Sequence, residues 1–159
     1  MDENSEDKEY LSQEGFERLK KELVTLKEIR RKEISERLEY AKSLGDLSEN
    51  AEYQEAKEEQ LDCEARIFEL EDILNRAVLI SHSAHGQFTD IGSTVAVEKE
   101  GDKKTEIYTI VGSEEVDIAS KHISNESPLG KALIGKRKGE IVSAYTPKGI
   151  VRYHIIDVT

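Results

Sequence analysis

The chain of 159 residues has one cysteine, two prolines and no tryptophan. Because Cys63 has no partner in the chain, an internal disulfide is excluded, which suits a reducing compartment. No stretch approaches the roughly 20 consecutive apolar residues of a membrane-spanning helix, so we expect no membrane association. Residues 1–7 are acidic and contain no apolar run, a pattern unlike a secretory signal peptide. Together these absences predict a cytoplasmic protein.

Charge is abundant but unevenly distributed. Charged residues make up 36% of the chain, and the net charge is −11. The acidic excess lies in residues 1–80, whereas residues 81–159 are nearly balanced. Compact domains contain about 25% charged residues, so this composition favours long exposed helices. The acidic half argues against binding duplex nucleic acid over the whole surface, although it leaves room for a local basic patch.

Two stretches of the first half have the hydrophobic spacing of long amphipathic helices. Ser12 is a suitable N-cap for the first of them. The step from Leu26 to Ile34 is one residue longer than a heptad and predicts a local shift in the coiling. The apolar positions are Phe16, Leu19, Leu23, Leu26, Ile34, Leu38 and Ala41 in the first helix, and Ala56, Gln60, Cys63, Ile67, Leu70, Leu74 and Ala77 in the second.

Each of these helices can bury its apolar stripe only against the other, so we expect an antiparallel pair. The turn between them falls within residues 43–50. Gly45 is expected to end the first helix, and Ser48 is a candidate cap for the second. Residues 1–78 are therefore predicted to form an antiparallel coiled coil with an acidic tip.

The spacing of apolar residues becomes alternating after about residue 78, which is typical of strands. Ser127 and Pro128 are expected to begin a short helix, as its N-cap and its first helical residue. We predict an α+β fold in which the coiled coil is followed, over residues 79–159, by a small antiparallel-sheet domain with one helix. The predicted strands are residues 91–97, 105–111, 140–145 and 150–158, and the predicted helix is residues 129–134.

Asp46 and Glu49 are candidate ligands for a metal ion at the turn. Magnesium is usually held by one or two carboxylates together with waters and substrate phosphates. Acidic residues are also common at the start of a helix, where they interact favourably with its dipole. Spacing alone favours this second interpretation.

A longer motif changes the balance between these interpretations. The turn between the two coiled-coil helices reads Gly45-Asp46-Leu47-Ser48-Glu49-Asn50-Ala51-Glu52-Tyr53. This motif closely resembles the tip of the GreA/GreB transcript-cleavage factors of bacterial RNA polymerase. Residues 11–19 and 123–136 resemble the opening and the C-terminal signature of the same family. The acidic helices make the chain more similar to GreA than to GreB.

The resemblance, which runs from about residue 10 to the end, implies a fold and a mechanism. The C-terminal domain would be similar to FK506-binding proteins. The coiled coil would enter the secondary channel of RNA polymerase when the 3′ end of a backtracked RNA is extruded there. Asp46 and Glu49 would then help the polymerase's own active site hold a second Mg²⁺ and a water for internal hydrolysis of the RNA. On this view the chain is a monomer, binds no Mg²⁺ alone and is not itself an enzyme.

The resemblance also assigns roles to residues outside the acidic pair. Lys42 and Lys57 align with basic positions that meet the extruded RNA, although ordinary solvated lysines are an equal alternative. Glu126, Ser127 and Pro128 align with the segment that contacts the rim of the polymerase channel. For Ser127 and Pro128 this role is compatible with beginning a helix.

Three other functions compete with transcript cleavage. A paralogue could occupy the polymerase channel and inhibit it, but the intact acidic motif argues against this. The implied fold suggests a prolyl isomerase, although the second domain offers only four aromatic residues for a proline pocket. A plain coiled-coil adaptor would have no reason to carry the full tip motif. The four aromatic residues are Phe88, Tyr108, Tyr145 and Tyr153.

Overall fold

The computed structural model describes residues 8–46, 50–80 and 87–159, and the chain divides into two compact units. Phe16–Arg76 forms the helical unit. The described parts of Met1–Gly15 and Ala77–Thr159 form the sheet unit. The predicted α+β class is confirmed, because a long helical region is followed by a sheet domain with a short helix. The division predicted at residue 78 did not anticipate that the chain's first strand belongs to the sheet unit.

The helical unit is an antiparallel pair, as the sequence predicts. Its first arm is a continuous helical run, and its second arm is a single helix. Lys27 is paired with Glu71, whereas Arg37, farther along the first arm, is paired with Glu59, so the two arms run in opposite directions. The elements are α1 (Gln13–Thr25), a π-helical segment (Leu26–Arg30), α2 (Arg31–Ser43) and α3 (Ala51–Arg76).

The contact between the arms buries seven of the fourteen residues that the spacing predicts, and the other seven are partly buried. Near the end of α3 the buried positions themselves differ from the predicted ones. Ile73 is buried there while Leu74 is only partly buried, and Ala77 lies beyond the end of the helix. The buried residues of the pair are Leu19, Ile34, Ala41, Ala56, Cys63, Ile67, Leu70 and Ile73.

The π-helical segment Leu26–Arg30 lies where the spacing predicts a shift in the coiling. A π turn accommodates one residue more than an α turn. It therefore absorbs the extra residue between Leu26 and Ile34 and returns Ile34 to the buried face. None of the five residues of this segment is fully buried, although Leu26 packs against the cluster of Ile34, Cys63 and Ile67.

The first residues of α1, up to Gly15, belong to the sheet unit. Ser12 caps α1 as predicted, because its hydroxyl accepts a hydrogen bond from the Gly15 amide at 2.9 Å. Glu115 accepts a hydrogen bond from the Ser12 amide at 2.7 Å and another from the Ser12 hydroxyl. A Cβ atom on Gly15 would overlap the Glu115 carboxylate, so a larger residue there would displace the end of that side chain.

The sheet unit contains a two-stranded sheet and a five-stranded sheet in the order β5-β4-β3-β7-β6. The predicted β3–β4 and β6–β7 hairpins are antiparallel. We expected an antiparallel sheet throughout, but β5 lies parallel to β4 and the sheet is mixed. The strands are β1 (Glu9–Leu11), β2 (Ala77–Leu79), β3 (Thr94–Lys99), β4 (Thr105–Val111), β5 (His122–Ser124), β6 (Ile141–Thr146) and β7 (Gly149–Val158).

Helix α4 (Pro128–Leu133) covers one face of the large sheet. Ser127 caps it by accepting a hydrogen bond from the Gly130 amide at 3.0 Å, and Pro128 is its first residue, as predicted. The core between helix and sheet consists of Val95, Val97, Ile110, Leu133, Val142 and Ile155. Across residues 8–46, 50–80 and 87–159, no helix has both the length and the apolar character to span a lipid bilayer.

Candidate functional site

The candidate site is the turn that joins α2 to α3. Helix α2 ends at Ser43, and Gly45 follows with a φ of +126°, a conformation that side chains other than glycine rarely adopt. The predicted helix end at Gly45 is therefore confirmed. Asp46 comes directly after this glycine and is exposed. Glu49 and Ser48 lie outside the described residues.

Asn50 caps α3. Its side-chain Oδ1 accepts a hydrogen bond from the Tyr53 amide at 3.1 Å, and the helix begins at the next residue, Ala51. The Asn50 amide nitrogen also donates to the carbonyl of Ala41 in α2 at 2.7 Å. Ser48, the candidate cap in the sequence, lies outside the described residues, and asparagine, which fits the same role, occupies the position immediately before the helix.

A cluster of charges joins the two arms close to the turn. Arg37 donates to Glu59 at 2.6 Å and to Glu52 at 2.9 Å, and a third carboxylate, of Glu55, lies 3.5 Å away. The hydrogen bond to Glu52 is the largest cause that raises the pKa of Arg37, followed by the hydrogen bond to Glu59. The guanidinium stays charged and holds carboxylates from successive turns of α3.

The two candidate RNA-contacting lysines lie on different arms. Lys42 is exposed in the last turn of α2. Lys57 is partly buried on α3, where its ammonium donates to the side-chain carbonyl of Gln60 at 3.0 Å. Each is therefore close in sequence to one end of the turn, and their role toward RNA stays a prediction.

The described residues do not form a complete metal site. Within those residues, no group of three or more His, Cys, Asp or Glu side chains is arranged to hold a metal ion. Asp46 is nevertheless an exposed carboxylate, the ligand type that Mg²⁺ prefers. The donor chemistry at the turn fits an ion whose remaining ligands come from another molecule.

A second candidate surface lies at the start of α4. Glu126 and Pro128 are exposed there, while Ser127 is partly buried. The Glu126 carboxylate accepts a hydrogen bond from the Ser113 hydroxyl at 3.2 Å, and its amide donates to the Ser124 hydroxyl at 3.0 Å. These bonds fix the backbone immediately before the helix and hold the three residues on one surface loop.

Two grooves flank residues 126–128. One, of about 420 Å³, includes the exposed ring of Tyr145 and the side of Pro128. The other, of about 380 Å³, includes Tyr108 and Ser127. Two of the four aromatic residues considered for a proline pocket, Tyr145 and Tyr108, therefore lie in different grooves.

Ionisable side chains in the second groove influence one another. Glu106 accepts hydrogen bonds from the Lys121 ammonium at 2.7 Å and from the Tyr108 hydroxyl at 2.9 Å. The Lys121 bond is the largest cause that lowers the pKa of Glu106. Burial, followed by the hydrogen bond to Glu106, raises the pKa of Tyr108 from 10.0 to about 12. Lys121 also lies 5.3 Å from the centre of the Tyr108 ring.

Sequence reasoning missed several residues that shape these sites. Asn50 was noted only as part of the motif, although its position before a helix is a recognisable capping signal. The Arg37 cluster had a weaker signal, because its carboxylates become neighbours only when the two arms pair. Glu115 had none, since its partner Ser12 lies 103 residues away in the sequence.

Comparison with known proteins relates both halves of the chain to one family. The family described as "Transcription elongation factor, N-terminal" matches residues 9–79, and "Transcription elongation factor, GreA/GreB, C-term" matches residues 85–159. Transcription elongation factor GreA of Clostridioides difficile (strain 630) is 47% identical over 156 residues, covering 96% of this chain and 98% of the relative. The GreA of Acetivibrio thermocellus is 45% identical over 150 residues, covering 93% and 94%.

A solved structure is also similar. The crystal structure of GreA factor homolog 1 of Thermus thermophilus is 32% identical, with 96% of this chain and 99% of that chain covered and a TM-score of 0.44.

Proposed function

Because the chain belongs to the GreA/GreB family of transcription elongation factors, we propose that it acts on bacterial RNA polymerase in backtracked complexes. The helical pair enters the secondary channel with its turn first. There it stimulates the polymerase's own hydrolysis of RNA whose 3′ end has been extruded. The chain lends side chains to that reaction, acts as a monomer and does not catalyse the reaction alone.

The exposed carboxylate of Asp46 carries this proposal. It follows Gly45 at the turn between two paired helices, and both residues belong to the motif that resembles the tip of the family. A side chain in such a turn can be inserted into the active site of another molecule. A buried carboxylate would have been unsuitable, because withdrawing it from the core would cost folding free energy.

Asp46 and Glu49 would hold Mg²⁺ together with acidic residues of the polymerase. When bound, this ion stabilises charge on the reacting phosphate and increases the acidity of a water molecule. The contribution of the chain is negative charge at the position where a second ion is otherwise weakly held. Asp46 fits this role by its ligand type and exposure.

Lys42 and Lys57 would contact phosphates of the extruded RNA. An ammonium near a phosphate stabilises binding without reading the base sequence, which suits a factor that acts at many positions on a transcript. The exposed ammonium of Lys42 is available for such a contact, whereas Lys57 would exchange its hydrogen bond with Gln60.

Residues 126–128 would contact the rim of the channel. Glu126 and Pro128 are exposed, and the hydrogen bonds around Ser124 hold the loop in one conformation. A preformed loop loses little conformational entropy on binding, which favours affinity.

The test is RNA cleavage in a stalled complex that carries 3′-extruded, end-labelled transcript. Asp46→Asn removes the charge and keeps the size of the side chain. We expect it to reduce the maximal stimulated rate by about 100-fold, a typical loss when one charge-stabilising group is removed. The factor concentration that gives half-maximal stimulation should be unchanged, because Asp46 is not one of residues 126–128, which are proposed to contact the channel rim.

Asp62→Asn is the matched control. Asp62 is also exposed, and it lies in α3 outside the tip motif. This variant should behave as the wild type does. Full stimulation by Asp46→Asn would contradict the role of the tip carboxylate. If the wild-type chain slows elongation without stimulating cleavage, it is a channel-blocking inhibitor instead.

A further inference from the structure

The side chain of Asn50 is bonded to both arms of the helical pair. Its Oδ1 accepts from the Tyr53 amide in the first turn of α3 at 3.1 Å. Its Nδ2 donates to the Ala41 carbonyl in the last turn of α2 at 2.7 Å. One residue therefore links the last turn of α2 to the first turn of α3.

Both bonds use backbone groups that a helix end leaves without an α-helical partner. The first amides and the last carbonyls of a helix lack such partners within the helix. The Ala41 carbonyl also accepts from the Leu44 amide at 3.1 Å, which closes the last turn of α2. The bonds from Leu44 to Ala41 and from Tyr53 to Asn50 each complete one helix end. The bond from Asn50 to Ala41 is different, because it joins the two helices.

The hydrogen bond from Asn50 to Ala41 shows that the start of α3 lies close to the last turn of α2. Ala41 on α2 and Ala56 on α3 are both fully buried. A short cross-link between the arms is effective only where the helices are this close, because the asparagine side chain has just two rotatable bonds.

The chemistry of the two bonds requires asparagine. Aspartate could accept from Tyr53, but at neutral pH it has no N–H or O–H to donate to Ala41. Serine is an equally good helix cap, but its side chain is too short to bond the second helix as well. The two functions of Asn50 can therefore be separated by substitution.

We infer that Asn50 is a positioning residue for transcript cleavage. It fixes α2 relative to α3 at the turn and thereby determines where Asp46 is delivered. This inference rests on the proposed function. It predicts an effect on the rate of cleavage at saturation and none on the affinity for polymerase, because Asn50 acts through the turn.

The experiment measures stimulated cleavage over a range of factor concentrations with Asn50→Ser. Serine keeps the cap on α3 and removes the bond to α2 without adding charge. We expect the maximal rate to fall roughly 10-fold, since small displacements of reacting groups have large effects on rate. The half-maximal concentration and the helix content by circular dichroism should match those of the wild type.

Ser43→Ala is the matched control. The Ser43 hydroxyl donates to the Tyr40 carbonyl at 2.6 Å, a side-chain bond in the same turn of α2 that does not reach α3. This variant should cleave at the wild-type rate. Asn50→Asp, which also lacks the donor but keeps a strong cap, should be slow like Asn50→Ser and serves if the serine variant loses helix content.

Each outcome bears on the inference. A wild-type maximal rate for Asn50→Ser or Asn50→Asp, beside a defective Asp46→Asn, would overturn the positioning role and leave the proposed function intact. A raised half-maximal concentration at an unchanged maximal rate would make Asn50 a polymerase contact instead. If Asp46→Asn is fully active, the proposed function fails, and the positioning of Asp46 fails with it.

Discussion

The phenol of Tyr108 is held in its neutral form by its surroundings. Burial disfavours the phenolate, and the hydroxyl donates its proton to Glu106 in a hydrogen bond of 2.9 Å. Loss of that proton would remove the bond and bring two negative charges together. These effects raise the pKa of Tyr108 from 10.0 to about 12 and make the residue a probe of stability at high pH.

We predict that Tyr108 contributes stability that is complete below pH 10 and is lost as the pH rises to about 12. In this window the unfolded phenol ionises while the folded phenol stays protonated, so the unfolded state is favoured. Tyr108→Phe should make the free energy of unfolding less dependent on pH in this window. Chemical denaturation at several pH values measures it, and ultraviolet absorbance of tyrosinate locates the titration.

Tyr145→Phe is the control for this prediction, because Tyr145 is 73% exposed. It should leave the pH dependence of unfolding unchanged. If the free energy of unfolding has the same dependence on pH for Tyr108→Phe and the wild type, the phenol of Tyr108 ionises alike in the folded and unfolded states.

At the level of single residues, local chemistry was predictable and distant partners were not. Ser12 and Ser127 could be assigned as caps because a cap and its amide lie three residues apart. The capping of α3 by Asn50 could not be singled out, because Ser48 and Asn50 are both capping residue types and residue preferences do not choose between them. The role of Glu115 depends on the fold that brings it to Ser12.

Among the helices, the π-helical segment has a clear cause in the sequence. One residue too many separates Leu26 from Ile34 for a regular α-helix to place both on the buried face. The π turn accommodates this residue at a site where no side chain is fully buried. The irregularity therefore preserves the packing on both sides of it.

Deletion of Ile29 should convert the segment to regular α-helix. Ile29 is 53% exposed, and its removal gives Leu26 and Ile34 the heptad spacing that an α-helix keeps on one face. We expect unchanged helix content and a midpoint of thermal unfolding at least equal to that of the wild type, measured by circular dichroism.

Deletion of Glu58 is the matched control for the loss of one exposed residue. It lies in α3, which is regular, so the helix beyond it would rotate by about 100° relative to the part before it. Buried Cys63, Ile67 and Leu70 would leave the contact between the arms, at a cost of several kcal/mol. Equal destabilisation by both deletions would contradict the proposed origin of the π turn.

Element length decided which strands could be predicted. β4 and β7 are long enough to display alternation, and residues 105–111 match β4 (Thr105–Val111). β1, β2 and β5 have three residues each, too few to distinguish a strand from a loop. The parallel pairing of β5 therefore could not be predicted, and neither could the return of the chain from α3 into a strand beside β1.

For the whole molecule, the sheet unit is built from two parts of the chain, one before and one after the helical unit. The chain leaves the sheet unit after Gly15 and re-enters it at Ala77, so β1 and β2 become parallel neighbours across the intervening helices. A Cβ atom on Gly112 would overlap the Tyr10 carbonyl, which shows how closely β1 approaches the end of β4. The stability of the sheet unit should therefore depend on residues that precede the helices.

Leu11→Ala tests this dependence. Leu11 is fully buried, and its carbonyl accepts from the Ile80 amide at 2.8 Å. We expect the substitution to cost about 2–5 kcal/mol of unfolding free energy, as for other buried leucines. Hydrogen exchange should accelerate in β4, within the sheet unit, and stay unchanged in the middle of α3.

Leu79→Ala is the control, since Leu79 is 46% exposed on the paired strand. This substitution should cost about 1 kcal/mol of unfolding free energy or less. Faster exchange confined to α3 would instead mean that the first strand stabilises the helices that follow it, and that the units are organised in chain order.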